Sequence, residues 1–316
     1  MLPGRVGRVK LDKTPLALAA TVLLWATAFP AIRVALDGYG PAQLSFLRLA
    51  VASLALAAVT PWLSIRRPAR DDLWRIGLAG GTGMSAYQLL LNWGELHVPA
   101  GTASLIMAAV PAMSALLAAR FLGERLTPTK AGGSLTALAG AGLIALSGTE
   151  SGYTAAAWTV LAAACGQALY HLTIKPLLRH YTGLEVAAYA MWAGTAFLLP
   201  LAPTTIRAVP HAPLGATAAA VCLGLLPSAT GFFVWGYAVA RLSVTTATAA
   251  LYLVPAVALA ASYLWLGEQP HPTAVLGGLI TITGLLLLNK RPRPPRPATP
   301  DPAPRPGETA FPRHHS

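Results

Sequence analysis

The chain is 316 residues long, 55% hydrophobic and only 11% charged, with a mean hydropathy of +0.56. Soluble globular domains carry roughly 25% charged residues, so that class is excluded. The net charge of +12 does not mark a nucleic-acid binder, because the Lys and Arg sit in short gaps between apolar runs and in the tails instead of lining one groove.

Residues 1–14 form a basic tail. The apolar run behind it shows no small-residue cleavage site and reads as a retained first span, not a signal peptide. Runs of about 20 apolar residues, the length that crosses a bilayer as helix, then predict spans over 15–36, 42–63, 73–93, 101–121, 130–147, 155–177, 184–201, 214–235, 245–266 and 272–289. The expected fold is an all-α integral membrane protein of ten transmembrane helices. From residue 290 to 316 the chain is rich in Pro and Arg, has no apolar periodicity, and is expected to be a disordered tail. Cys165 and Cys222 lie inside apolar runs without ligand spacing, so neither a disulfide nor a metal site is expected, and no motif asks for a cofactor.

Sidedness follows from the basic residues. With the N-terminus in the cytoplasm, the inside segments collect Arg66, Arg67, Arg70 and Arg75, then Arg120, Arg125 and Lys130, then Lys175, Arg179 and Arg241, and the basic C-terminal tail. Arg207 and Arg33 fall outside, and Arg48 lies within a span. The positive-inside rule therefore predicts both termini in the cytoplasm of a cell-membrane protein. Trp62, Trp74 and Trp265 suit the interfacial belts.

The stretch from Gly101 to Leu143 is written twice. A shift of 144 positions carries Val110-Pro111-Ala112 onto Val254-Pro255-Ala256, Leu122-Gly123-Glu124 onto Leu266-Gly267-Glu268, and Gly133 and Gly140 onto Gly277 and Gly284. Two units of five helices each must enter the membrane with opposite orientation. Such inverted repeats are a hallmark of secondary transporters, which hold one substrate site near the midplane.

Leu24-Trp25-Ala26-Thr27-Ala28-Phe29 and Phe46-Leu47-Arg48, with Pro111 followed by Gly123-Glu124-Arg125-Leu126-Thr127, resemble the drug/metabolite transporter superfamily and its EamA-type domain. The resemblance covers 15–148 and 153–289 as two EamA-type repeats. It implies a bundle with a central cavity lined from both halves, alternating access, and export of amino acids, other metabolites or drugs. The second copy departs from the pattern at Gln167-Ala168-Leu169-Tyr170 and at Gln269.

Polar and aromatic groups facing the bundle interior are the functional candidates, because lipid-facing polar groups are costly. Ser104, Met107, Pro111 and Ser114 share one helix face, and Thr245, Thr248, Tyr252 and Pro255 repeat that spacing. They read as two walls of one cavity or as packing residues beside static kinks. Tyr87, Gln88 and Asn92 in the third span, and Gln167, Tyr170 and His171 in the sixth, read as cavity groups or as interhelical hydrogen-bond partners. Trp25 and Trp192 are expected as cavity walls. Arg48 either snorkels to the interface or faces inward toward a carboxylate or helix end. Structural or gating duty is expected of Arg48, His171, Gly123, Glu124, Gly267 and Glu268. Asp37, Glu95, Glu124, Glu150, Glu185 and Glu268 all fall at span ends or in loops, so coupling through a buried carboxylate is not expected.

The function expected is a secondary transporter exporting small metabolites, amino acids or drug-like compounds, with a small-molecule substrate and the lipid bilayer as its partners. An importer or carrier of phosphate-containing metabolites, or a non-transporting scaffold, is the alternative. No enzyme constellation of nucleophile, base or metal ligands stands out. A homodimer is compatible with the pattern.

Overall fold

The computed structural model describes residues 13–63, 65–146 and 152–288. The basic tail up to residue 12, Glu150 and the tail from residue 289 lie outside the described residues, so expectations placed there are untouched. Regular structure among the described residues is entirely helical. In chain order the rods are α1 (Thr14–Leu36), α2 (Pro41–Leu63), α3 (residues 73–94), α4 (Ala100–Phe121) and α5 (Pro128–Leu146). They continue as α6 (Tyr153–Leu177), α7 (Gly183–His211), α8 (Leu214–Arg241), α9 (Val244–Leu266) and α10 (Pro272–Leu288). Six of these, α1, α2, α4, α7, α8 and α9, are long and apolar enough to cross a membrane. α10 is apolar but spans 17 residues. α7 runs ten residues past the predicted end at residue 201, through 3-10 turns at Pro200 and Pro210 that bend the rod without ending it.

Several rods are jointed where sequence patterning reads single spans. α1 breaks at Thr27, α4 at Ala108, and α9 passes through a 3-10 turn at Ala250–Tyr252. Each joint lies within the turn before a proline, Pro30, Pro111 or Pro255. A proline ring removes one N–H and pushes away the carbonyl four residues earlier, which opens the helix there. α3 and α8 each carry a π-helical stretch, Gly80–Ala86 and Gly224–Thr230, at positions related by the same shift of 144. The duplication therefore extends beyond the matched words to the places where the backbone departs from α geometry.

α5 and α10 pack along a seam of glycines. A Cβ on Gly140 would stand 2.6 Å from the Gly277 carbonyl oxygen, and one on Gly133 would stand 2.5 Å from that of Gly284. These are the two repeat-related pairs, Gly133 with Gly277 and Gly140 with Gly284, crossed antiparallel about a common axis. Across the seam Thr281 Oγ1 donates to Ala137 O at 3.3 Å. Apolar helices in lipid gain no hydrophobic drive from meeting each other, so close backbone approach and such bonds hold the pair.

Gly140→Ala is expected to lower thermal stability in detergent, by about 1–3 kcal/mol for an overpacked contact. Gly142, whose added Cβ would meet nothing within 4 Å, is the control: Gly142→Ala should leave the melting temperature unchanged.

Candidate functional site

The joints surround a central cavity. α1 supplies Trp25, Phe29 and Ile32, α2 Arg48, α3 Tyr87 and Leu91, and α4 Ser104, Met107 and Val110. From the second half come Gln167 of α6, Pro227 and Phe232 of α8, and Leu251, Val254 and Pro255 of α9. The space open to water centres is about 50 Å³, room for roughly four waters at about 10–15 Å³ each. Trp25 is fixed on the wall by its Nε1, which donates to the Pro227 carbonyl at 3.1 Å. Its ring packs at 5.1 Å from Phe232 and 5.3 Å from Trp235.

Arg48 is the charged lining group. It is 3% exposed, so it faces inward and does not snorkel. Nη2 donates to Ser228 Oγ at 3.4 Å, while Nε and Nη1 have no partner. A buried guanidinium with these donors free matches a carboxylate, which can take two parallel bonds from the second hydrogen of Nη2 together with Nε or Nη1. Across the cavity Gln167 leaves its Oε1 free to accept from a cation.

Six of the thirteen expected cavity residues line this space: Trp25, Tyr87, Ser104, Met107, Gln167 and Pro255. Others form its backing. His171 bonds Ser114 Oγ at 3.1 Å, stacks on Trp235 at 4.9 Å, and stands behind Gln167. Tyr170 packs edge-on against Phe232 at 5.3 Å. Pro111 is buried in helix packing, Thr248 Oγ1 bonds back to Val244 O, and Tyr252 packs beside Ala108, Ala112 and Leu285. Gln88 and Asn92 are fully buried beside Arg48's helix, Asn92 donating to Ser45 Oγ at 2.9 Å. Trp192 is placed elsewhere. Its Nε1 donates to Ser53 O at 3.1 Å, and the ring lines a groove with Ile65, Arg66 and Tyr189. Depth in the span does not fix direction, and α7 turns this face toward α2.

The two Gly-Glu corners act at opposite ends of the bundle. Gly123 (φ +70°) and Gly267 (φ +68°) adopt left-handed backbone that favours glycine. Each reverses the chain so that the next residue's N–H returns to its helix, Glu124 to Ala118 O and Glu268 to Ser262 O. The carboxylates then reach across to the other repeat. Glu124 accepts from Val244 N at 2.9 Å, Thr245 N at 3.4 Å and Thr245 Oγ1 at 2.6 Å, capping α9. Glu268 accepts from Ala100 N at 2.8 Å, capping α4, and stands 3.5 Å from Arg33 Nε. Ala100 and Val244 are again related by 144 positions. Basic side chains close the neighbouring carboxyl ends: Arg33 Nη1 donates to Glu95 O, and Lys175 Nζ to Val239 O at 2.6 Å. Hydrogen bonds between the two repeats thus tie the bundle together at both ends.

The sequence reading overlooks Glu95. It counts as a loop acid after α3, yet it is fully buried and neither carboxyl oxygen has a partner. The signal available was its spacing, since Gln88, Asn92 and Glu95 continue one helical face.

A model of the EamA-like transporter family matches residues 13–146 and again 154–290. A relative from Streptantibioticus cattleyicolor named "Probable terminal-alkyne amino-acid exporter" is 60% identical over 90% of this chain and 95% of its own. The "Uncharacterized transporter YdfC" of Bacillus subtilis is 35% identical over 83% of this chain and 86% of its own. A "Probable amino-acid metabolite efflux pump" of Escherichia coli is 25% identical over 84% and 91%. A solved structure titled "Crystal structure of protein" superimposes with a TM-score of 0.62 at 19% identity, covering 88% of this chain and 96% of that one, which shows a shared fold.

If each corner shuts one end, loosening it should open the cavity on that side alone. With Cys165 and Cys222 replaced by Ser, a Val110→Cys thiol in the cavity should react slowly with a membrane-impermeant reagent from either side. Adding Glu268→Ala should speed labelling from one side only, and Glu124→Ala from the other.

Proposed function

Because the chain belongs to the EamA-like transporter family, and so is a multi-pass membrane transporter and not an enzyme, we propose that it exports amino acids with small apolar side chains. The observation that carries this reading is Arg48, a buried guanidinium with Nε and Nη1 free, set into an otherwise apolar and aromatic cavity. An amino-acid carboxylate fits that fork, its ammonium fits the free Gln167 Oε1, and its side chain fits the wall of Trp25, Phe232 and Val254. The cavity size matches a compact molecule, and the printed names of two relatives give an amino acid and an amino-acid metabolite as cargo. One lining cation suits a carboxylate better than a doubly charged phosphate, which favours this reading over the phosphate-metabolite alternative.

We read the rods as ten spans in two inverted repeats, with both termini in the cytoplasm of the cell membrane. The Glu124 corner, flanked by Arg120, Arg125 and Lys130, then faces inward and the Glu268 corner outward. Alternating access follows if the two caps open in turn. The inner one breaks to admit cargo, and the outer one breaks to release it.

Liposomes bearing the purified protein, loaded with L-propargylglycine, norvaline, leucine and phenylalanine, test the cargo. Release of the smaller apolar amino acids is expected. Arg48→Gln should slow it by about ten- to a hundredfold, the equivalent of roughly 1.5–3 kcal/mol for bonds to a charged group. Arg48→Lys should recover part. No release of any amino acid from the intact protein would sink the exporter reading. Epitopes at the two termini should be reached by antibody only after cells are permeabilised; labelling of either in intact cells would overturn the sidedness.

A further inference from the structure

Gln88, Asn92 and Glu95 run along one face of α3 and its exit toward the Glu268 end, all fully buried, with Arg48 of α2 among them. Seven polar atoms of this column have no partner: Nε and Nη1 of Arg48, both amide atoms of Gln88, Oδ1 of Asn92 and both carboxyl oxygens of Glu95. Buried polar atoms normally find partners. Here those partners come with what the column carries.

The repeat shows that the acid is additional to the packing. Glu95 corresponds to Val239, and their backbone oxygens do the same work, one accepting from Arg33 and the other from Lys175. Val239 is also fully buried, so an apolar side chain fills this position. Likewise Gln88 corresponds to Phe232 and Asn92 to Gly236. The first repeat has polar groups where the second has none.

We propose that the Glu95 carboxyl is a proton-binding site at the end closed by Glu268, exchanging one proton inward for each amino acid exported. This rests on the exporter reading above. The charged groups facing Glu95 are Arg33 from α1, Arg48 from α2 and Glu268 from the turn after α9. From α6, the groups nearest the adjoining Gly94 are Val160, Ala156 and Thr159, none of them charged. Burial outweighs the two arginines and, with Glu268 adding to it, holds this carboxyl well above the usual carboxylate range, which favours the neutral acid at the closed end. Parting Glu268 from Arg33 and α4 admits water and favours the carboxylate. Reclosing the empty carrier then requires a proton from outer water on Glu95, since a buried, unbonded carboxylate is costly. When the opposite end opens, an arriving amino acid brings its positive ammonium into the cavity beside the column, and the proton leaves Glu95 for cavity water along Asn92 and Gln88. A proton has entered and an amino acid departs.

The test uses full-length protein in liposomes with L-propargylglycine as cargo and a pH dye inside. The intact protein should accumulate cargo on the acid side of an imposed pH gradient and move protons with it. Glu95→Gln, which imitates the neutral acid, should keep cargo exchange between compartments of equal pH and lose both gradient-driven accumulation and proton flux. Undiminished accumulation in Glu95→Gln overturns the proposal, and so does loss of equal-pH exchange, which marks a structural role. If the intact protein moves no cargo at all, the exporter reading fails instead, and infrared spectra decide on the proton site. A protonated-carboxyl band at neutral pH that vanishes in Glu95→Gln supports it, and no such band in the intact protein overturns it.

Discussion

A helix that ends inside or at the edge of a membrane leaves N–H and carbonyl groups that no lipid can satisfy. This chain meets that constraint by having each repeat cap the other. The Glu124 carboxylate satisfies the start of α9, and Glu268 satisfies the start of α4. Within each repeat, Arg33 and Lys175 satisfy the carboxyl ends at α3 and α8. Because the two glutamate caps cross between the halves, they are also the contacts that tie the repeats together at each end of the cavity. One set of hydrogen bonds therefore governs helix stability and access together.

The same inverted geometry places unlike side chains at equivalent positions. Around the cavity the second repeat contributes an aromatic wall, with Phe232 and Trp235 packed on Trp25 and His171. The first contributes Arg48 to the cavity and the buried column of Gln88, Asn92 and Glu95 beside it. A symmetric scaffold can rock between two states of similar energy, while the asymmetric lining lets cargo and protons bias one over the other. The proline joints and π stretches lie in the rods around this lining, where freed backbone groups can be satisfied by neighbouring helices as the rods bend.

Much of this was legible in the residues. The register of Pro111 with Pro255 and of Gly123-Glu124 with Gly267-Glu268 revealed the duplication, and helical spacing marked Ser104, Met107 and Pro255 as inward. Direction was less legible. Trp192 has the depth of a cavity residue and points instead to the groove beside Arg66. Thr248 has the spacing of a lining group and spends its hydroxyl on its own helix. In a run apolar on every side, periodicity names a face but not the neighbour that face will meet.

By itself the sequence determined that the chain is helical and membrane-bound, that it is a doubled unit, and where its corners lie. Those properties depend on local composition and on one residue's place relative to the next. Only the tertiary structure decided which polar groups are left without partners. That Arg48 faces a cavity, that Glu124 caps the opposite repeat, and that a loop glutamate is fully buried all depend on residues tens to over a hundred positions away. Burial and partnership belong to the packing of distant helices, and no local pattern records them.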